Sequence, residues 1–512
     1  MAQTVITPIN STFKIQNMNN IRTKFITLIF TGIITSGYAQ EKLPENSTYY
    51  KAEIFGSAAT GDNTPFWITS NQYGVVPLNS NNGYGRVGVF HNQSFGKGFR
   101  WSAGLDVLAT APRHKNFHIQ QIYASIGYKC LEMTLGSKEQ YESLLDRQMS
   151  SGDVMQSANA RPMPEFHLAV PEFTVIPLTK GWLQFKANFS VGRTFDDGYL
   201  AEFTQGKQTY VNNVLWHKKA LYIQLKDTRN GFPLSAYIGV QHVAQWGGTS
   251  TDPKIGEQPH SIKDFIRVFF GSEGGSNATE SDQINVLGNH VVGYNFALAY
   301  EKENWKLKGY HQHLCEDKSG MEFYNGFDGL WGLQLDLHKN KWLNKVIFEY
   351  FTTMNQSGPF HYIIFDHEKH PGRGGGGDNY YNNGEYVAGM SYFNRGTGSP
   401  LIPAPEYNKD GKLGFKSSRV KDWHIGFAGD ISNNVSYRLF CTIMQSYGTH
   451  YQPFLKRKDG VSLLADITYT HPKLEGWKFG GSIGADTGDV FGNSSTGFSI
   501  KVSKQGLLKK WK

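Results

Sequence analysis

Between Phe99 and Thr110 apolar and polar side chains alternate. Phe99, Trp101, Ala103, Leu105, Val107 and Ala109 fall on one face, and Arg100, Ser102, Gly104, Asp106, Leu108 and Thr110 on the other. Successive side chains of a strand point to opposite faces, so a period of two describes an extended segment with one greasy side and one wetter side. Roughly eleven residues is also the length of a tilted strand that crosses a bilayer. Alternation and turn signals predict the same element at 99–110, 119–128, 131–136, 173–176, 184–193, 221–226, 235–242, 291–300, 305–313, 330–337, 345–353, 422–430, 435–444, 462–470, 477–486 and 497–504. Tyr50 to Ile54 and Arg86 to Phe90 read as weaker first and second strands, for about eighteen in all.

The connections follow a second rule. Phe95 to Gly98, Lys302 to Asn304, His338 to Lys341, Ser432 to Asn434 and Pro472 to Gly476 are tight, and they alternate with long stretches at 137–172, 195–220, 244–290, 314–329, 354–421, 445–460 and 487–496. Short turns at one end and long loops at the other are what an outer-membrane barrel has, with the loops external. The expected fold is therefore all-β, a transmembrane antiparallel outer-membrane barrel of about eighteen strands with long extracellular loops. The pattern sets Trp101, Leu105, Phe185, Phe189, Tyr294, Phe296, Leu298, Leu439 and Ile467 toward lipid.

Ahead of the strands, Arg22 and Lys24 precede the apolar run Phe25 to Ile34, and Ser36-Gly37-Tyr38-Ala39 supplies the small residues of a signal-peptidase site. The run is too short to span a membrane. The expected organisation is a signal peptide at 1–39, with 1–17 as an over-extended start before Met18. An N-terminal segment at 40–85, partly periplasmic, and the barrel at 86–512 follow.

Composition agrees. Aromatic residues make up 14% and charged residues 18% of the 512, with 57 glycines and a mean hydropathy of −0.44. A helical membrane protein would be far more apolar, whereas alternating strands hide a lipid-facing surface in a polar average. The net charge of +8 has no concentrated basic run, so nucleic acid is not expected as a partner, although an acidic polymer suits it. Cys130, Cys315 and Cys441 are too few and too scattered for a disulfide framework or a zinc cluster and read as packing residues.

The unusual sequence lies in the long loops. Lys138 to Met149 reads as a short helix, followed by Ser150 to Pro164. Then come Gln245-Trp246-Gly247-Gly248, Glu316 to Met321, Gln356 to Pro359, a glycine run with Asp378 to Asn383, and Arg395 to Pro400. Together with Thr64 to Gly74 and Asp486-Thr487-Gly488, this ordered set resembles the capsule-assembly outer-membrane family of the Wzi type, particularly its Bacteroidetes-like branch. The resemblance implies an eighteen-stranded barrel plugged by its external loops that binds surface polysaccharide as a lectin. It also implies a small periplasmic helical element near the N-terminus, for which Thr48 to Gly74 shows no helical pattern.

Sugars present apolar ring faces and paired hydroxyls, which aromatic rings, amides and carboxylates recognise. The candidate glycan-binding residues are Asn159, Arg161, Gln245, Trp246, Glu316, Asp317, Gln356, Asp378, Asn379, Tyr380, Tyr381 and Arg395. The competing reading is that they satisfy backbone groups of folded-in loops, with Arg161 and Arg395 paired to Glu316 or Asp317.

Signals for catalysis or metal binding are weak. Gly480 to Gly484 fits a nucleophile elbow in pattern only, because it lies in an alternating strand. The glycine run 374–377 lacks the Lys-Ser/Thr of a phosphate loop. Glu316 and Asp317 are neighbours rather than carboxylates spaced across a sugar. Neither His311/His313 nor His367/Glu368/His370 has an established ligand spacing. No catalytic residue, metal or cofactor is expected. The reading is a monomeric, non-enzymatic outer-membrane lectin whose partners are membrane lipid and capsular or other surface polysaccharide; the alternative is a substrate-specific channel for oligosaccharides or anions.

Overall fold

In a computed structural model, described over residues 46–112, 117–358 and 377–511, eighteen antiparallel strands close into one barrel. They are β1 (Ser47–Asn63), β2 (Asn79–Ser94), β3 (Phe99–Ala111), β4 (His118–Tyr128), β5 (Leu131–Ser137), β6 (Glu165–Val175), β7 (Leu183–Arg193), β8 (Leu215–Lys226) and β9 (Leu234–Trp246). The second half comprises β10 (Asn289–Glu301), β11 (Trp305–Cys315), β12 (Gly329–Leu337), β13 (Lys345–Thr352), β14 (Val420–Ser432), β15 (Val435–Gly448), β16 (Pro453–Thr470), β17 (Trp477–Gly488) and β18 (Ser495–Lys510). Each strand pairs with the next, and β18 pairs with β1 from Ser47↔Lys510 to Ala59↔Gly497. Closure leaves no edge unpaired, which a sheet surrounded by hydrocarbon requires. No helix among the described residues is long and apolar enough to cross a membrane.

The alternation read from the sequence sets the register. Trp101, Leu105, Phe296, Leu298, Leu439 and Ile467 are exposed on the outer wall, while Asp106, Asn295, Phe440 and Leu464 on the same strands are buried inside. Phe189 points outward too, but a helix at Ile262–Phe270 covers it.

Several expectations are corrected. The wall begins at Ser47, not at 86, because residues 47–63 and most of 64–85 supply β1, a lumen-entering loop and the start of β2. Gly56, Gly83 and Gly85 break the apolar alternation between Tyr50 to Ile54 and Arg86 to Phe90, so only those two stretches read as strand. The element expected at 173–176 is the end of β6; Pro171 sits in a register shift between Val170 and Thr174, and a residue without an amide hydrogen interrupts a ladder there. The loop expected at 445–460 is mostly strand, leaving only 449–452 between β15 and β16. A hairpin standing clear of the membrane is wet on both faces and loses its alternation. Lys138 to Met149 is irregular rather than helical. The signal peptide, the glycines at 374–376 and His367, Glu368 and His370 lie outside the described residues.

Candidate functional site

The long-loop half of the lumen is filled by three connections, 64–78, 138–164 and the described parts of 353–419, above a cavity of about 1760 Å³ that opens toward the short turns. Their apolar side chains, among them Trp67, Val154, Met155, Tyr381, Ile402 and Phe415, form one buried cluster with inward wall residues such as Trp216, Val243, Tyr310, Leu330 and Phe440. A hydrophobic core inside a barrel is a packed plug rather than the wet lumen of a pore.

Polar side chains of the inward wall fasten this plug. Glu349 on β13 accepts from Ser150 Oγ and from the Ser151 amide, each over 2.7 Å, and from the Tyr310 hydroxyl. Gln312 on β11 accepts from the Val154 amide at 3.1 Å and donates to Asp153 Oδ2 at 2.7 Å. His424 Nε2 lies 3.0 Å from the Met149 carbonyl, which only accepts, so Nδ1 is left to accept from Thr442 at 2.8 Å. Thr442 in turn accepts from Trp67 Nε1 at 2.9 Å. Trp67 belongs to the four-residue helix Phe66–Thr69, which is buried in the lumen although no helical pattern marks it in the sequence.

The loops also hold one another. Asn159 donates to the Gly396 carbonyl at 3.2 Å and accepts from the Asn71 amide at 3.3 Å. Tyr381 donates its hydroxyl to the Val154 carbonyl, and the Ser399 amide donates to that hydroxyl at 3.3 Å. A Cβ at Gly398 would collide with both the Tyr381 hydroxyl and the Val154 carbonyl, so the loops meet there only because the residue is glycine. Arg395 makes three contacts, an ion pair with Glu406 at 3.0 Å and hydrogen bonds to the carbonyls of Thr69 at 3.2 Å and Val76 at 2.5 Å.

The other predicted residues are occupied in the same way. Tyr380 is fully buried and donates to the Leu314 carbonyl at 3.0 Å. Gln356 donates to Ser418, and Gln245 donates to the Gly389 carbonyl at 2.9 Å. Asn379 accepts from Ser418 Oγ at 2.6 Å. Asp317 caps the short helix Lys318–Met321 through the amides of Ser319 and Gly320. Glu316 accepts from the amides of Tyr381 at 2.7 Å and Asn379 at 3.3 Å, not from either arginine. Arg161 instead meets His118 Nδ1 at 3.2 Å and lies 4.7 Å from the Phe393 ring. Trp246 is on the outer wall, 5.6 Å from Phe265 of the Ile262–Phe270 helix, and shares nothing with the mouth.

Three acidic residues named from the sequence do converge. Burial pushes Glu316 above the ordinary carboxylate range against the pull of its two amide donors, and neighbouring Asp317 adds to the rise. Burial raises Asp378 as well, helped by the charges of Asp317 and Glu316. A carboxyl shifted upward in this way takes up a proton more readily than an exposed one. Among the described residues no cluster of His, Cys, Asp or Glu has the arrangement of a metal site. His311 and His313 point outward, one stacked on Trp331 at 3.8 Å and the other bonded to the Gly320 carbonyl at 2.9 Å.

The residues that the sequence reading missed are those that anchor the plug from the wall, Glu349, Gln312 and His424, with Asn295 holding Gln312 from the next strand at 2.8 Å. A signal was present for Glu349, a lone carboxylate inside the apolar run Val346 to Phe351 of β13. At the exposed rim, rings with cations beside them were also missed: Phe195 with Arg193 at 5.3 Å, Tyr447 with Arg457 at 5.9 Å, and Phe454 with Lys458 at 4.9 Å.

A closed eighteen-stranded barrel with an apolar outer belt, short turns at one end and plugging loops at the other is an outer-membrane β-barrel protein. The family model described as capsule assembly protein Wzi matches residues 45–401, and the chain belongs to that family. Among solved structures, the fold matches that of Wzi, an outer-membrane protein involved in group 1 capsule assembly in Escherichia coli and described as a carbohydrate-binding β-barrel. The TM-score is 0.52 at 13% identity, over 88% of this chain and 83% of that one. Pseudomonas aeruginosa OccK5 gives a TM-score of 0.44 at 8% identity over 91% and 99% of the two chains. Acinetobacter baumannii OccAB4 gives 0.44 at 8% identity over 91% and 99%. A comparison with curated proteins returns no match.

Proposed function

We infer that this protein is a non-enzymatic, lectin-like barrel that holds exported capsular polysaccharide at the cell surface. The observation that carries the reading is the hydrophobic core inside the barrel: the long loops are spent on filling the lumen and leave a folded surface facing outward. The Escherichia coli protein of similar fold is a carbohydrate-binding β-barrel, which points the same way. Most of the residues first considered for sugar contact are consumed inside the plug, so the contact surface moves to the exposed rim. There Phe195 is 57% exposed beside Arg193, and Tyr447 and Phe454 are flanked by Arg457 and Lys458. Ring faces next to cations suit a polysaccharide that carries carboxylates or other anionic groups.

Glycan-array binding by the purified protein tests this. Phe195→Ala and Arg457→Ala are each expected to weaken binding of an acidic polysaccharide about tenfold, with heat-modifiable migration of the folded barrel unchanged. Absence of glycan binding, together with discrete conductance steps in a planar bilayer, would replace the reading with a channel.

A further inference from the structure

Above the lipid-facing stripe of β7 to β10 the outer wall turns polar. On β8 and β9 the exposed residues Leu221, Leu225, Ile238 and Val240 give way, toward the long-loop end, to His217, Lys219 and His242, with His290 beside them on β10. Such side chains at an outward register are costly against hydrocarbon. A helix, α1 (Ile262–Phe270), covers them. It is well made, with a Ser261/Asp264 capping box at its start and Gly271 in the left-handed conformation (φ 64°) at its end. One face packs Phe265, Val268 and Phe269 onto Phe189, His217 and Trp246. Lys219 donates to the Phe269 carbonyl and lies 3.6 Å from its ring, so the cation is satisfied by the last turn of the helix.

The opposite face of α1 is not polar. Ile262, Ile266 and Phe270, four residues apart in turn, are 77%, 52% and 73% exposed. A helix on an aqueous protein surface presents charged residues outward. Here exposed Lys263 stands at one edge of the stripe, as in helices that lie in a membrane interface and extend basic side chains toward headgroups, while Arg267 on the same edge turns back to pair with Asp264 at 3.1 Å. The same side of the barrel repeats the feature: after β11 the chain folds outward, stacks Phe323 on His313 at 4.4 Å and leaves Phe323 and Phe327 exposed.

We propose that α1 lies in the outer leaflet, with Ile262, Ile266 and Phe270 among acyl chains and Lys263 at the headgroup phosphates. Continuity with the lipid-facing stripe directly below selects lipid as the occupant. The helix restores an apolar belt over a wall too polar to face lipid, so the membrane boundary stands higher on this side of the barrel.

Spin labelling tests the placement. Cys130→Ser and Cys441→Ala remove the accessible thiols, and buried Cys315 stays in place with an unlabelled control. Nitroxides at Ile266→Cys and Phe270→Cys are then compared in phosphatidylcholine–phosphatidylglycerol liposomes with Leu298→Cys, which faces lipid, and Lys207→Cys, which faces water. Collisions with oxygen are expected to exceed those with a water-soluble nickel chelate at least threefold at 266 and 270, as at 298. Chelate access equal to that at 207 would overturn the proposal. So would low access to both reagents accompanied by a cross-linkable dimer, which would make a second copy the occupant. If the labelled variants do not fold, quenching by brominated lipid of a tryptophan in Phe270→Trp, measured against the parent protein, gives the same decision.

Discussion

Ser150 and Glu349 lie 199 positions apart in the chain, and the hydroxyl of one donates to the carboxylate of the other over 2.7 Å in the middle of the lumen. The Ser151 amide and the Tyr310 hydroxyl converge on the same carboxylate. Glu349→Ala leaves these donors buried and unpaired, at a cost on the order of 3 kcal/mol. The expected outcome is a barrel that still inserts but whose plug opens: bursts of current in planar bilayers where the parent is quiet, and faster amide exchange over 149–155. A silent bilayer and unchanged exchange would show that Glu349 does not hold the plug.

Arg395 gives a second handle. Its loss strands the Glu406 carboxylate and two loop carbonyls in the interior, and breaking one side of a buried pair costs about 3–5 kcal/mol. Arg395→Met should lower the urea midpoint clearly, whereas Arg395→Met with Glu406→Gln should recover part of the loss. If the double variant is no better than the single one, the pair is not the source of the stability.

The wall was largely legible in advance and the site largely was not. Trp101, Leu105 and Leu298 repeat every second residue because lipid on one side imposes the period, and that period fixes both strand and register. Tyr381, Asn159 and Arg395 were correctly placed in lumen-entering loops, but loop sequence carries no period, and a tyrosine that stacks on sugar looks like one that donates to a carbonyl. Trp246 misled because the end of β9 looked like the start of a loop, whereas the strand runs on and turns that ring outward. The pairing expected between the arginines and Glu316 failed because two backbone amides reach that carboxylate first.

Register is tested directly on β3. Leu105 is exposed on the outer wall and Ser102 faces inward, so Leu105→Arg should cost about 2–4 kcal/mol near the membrane midplane and Ser102→Arg much less. Folding efficiency into liposomes, read by heat-modifiable migration, distinguishes the two. Equal tolerance would move the register by one residue.

Proton linkage makes the loops pH-sensitive. Burial raises Asp328 to about 7, Asp282 to about 7 and Asp196 to about 6, all in connections rather than in membrane-spanning strands. Carboxyls with a higher pKa folded than unfolded bind more protons in the folded state between about pH 4 and 7. Loop stability is therefore greatest near pH 4, falls as pH rises through that window and levels off above it. Amide exchange in 353–358 and 280–288, corrected for its intrinsic pH dependence, should be better protected at pH 5 than at pH 8. Protection that grows with pH would mean that these carboxyls are ionised in the folded loops.

The pairing of β1 with β18 imposes an order of events on assembly. Ser47 meets Lys510 across the whole length of the described chain, so no shorter portion of the polypeptide can seal the cylinder. Until the final strand arrives, two unsatisfied strand edges stand open and must be kept from other chains. That interval gives 64–78, 138–164 and 377–419 a side entrance to the interior. The contact that closes the longest loop, and so carries the largest closure entropy, is the one that seals them in.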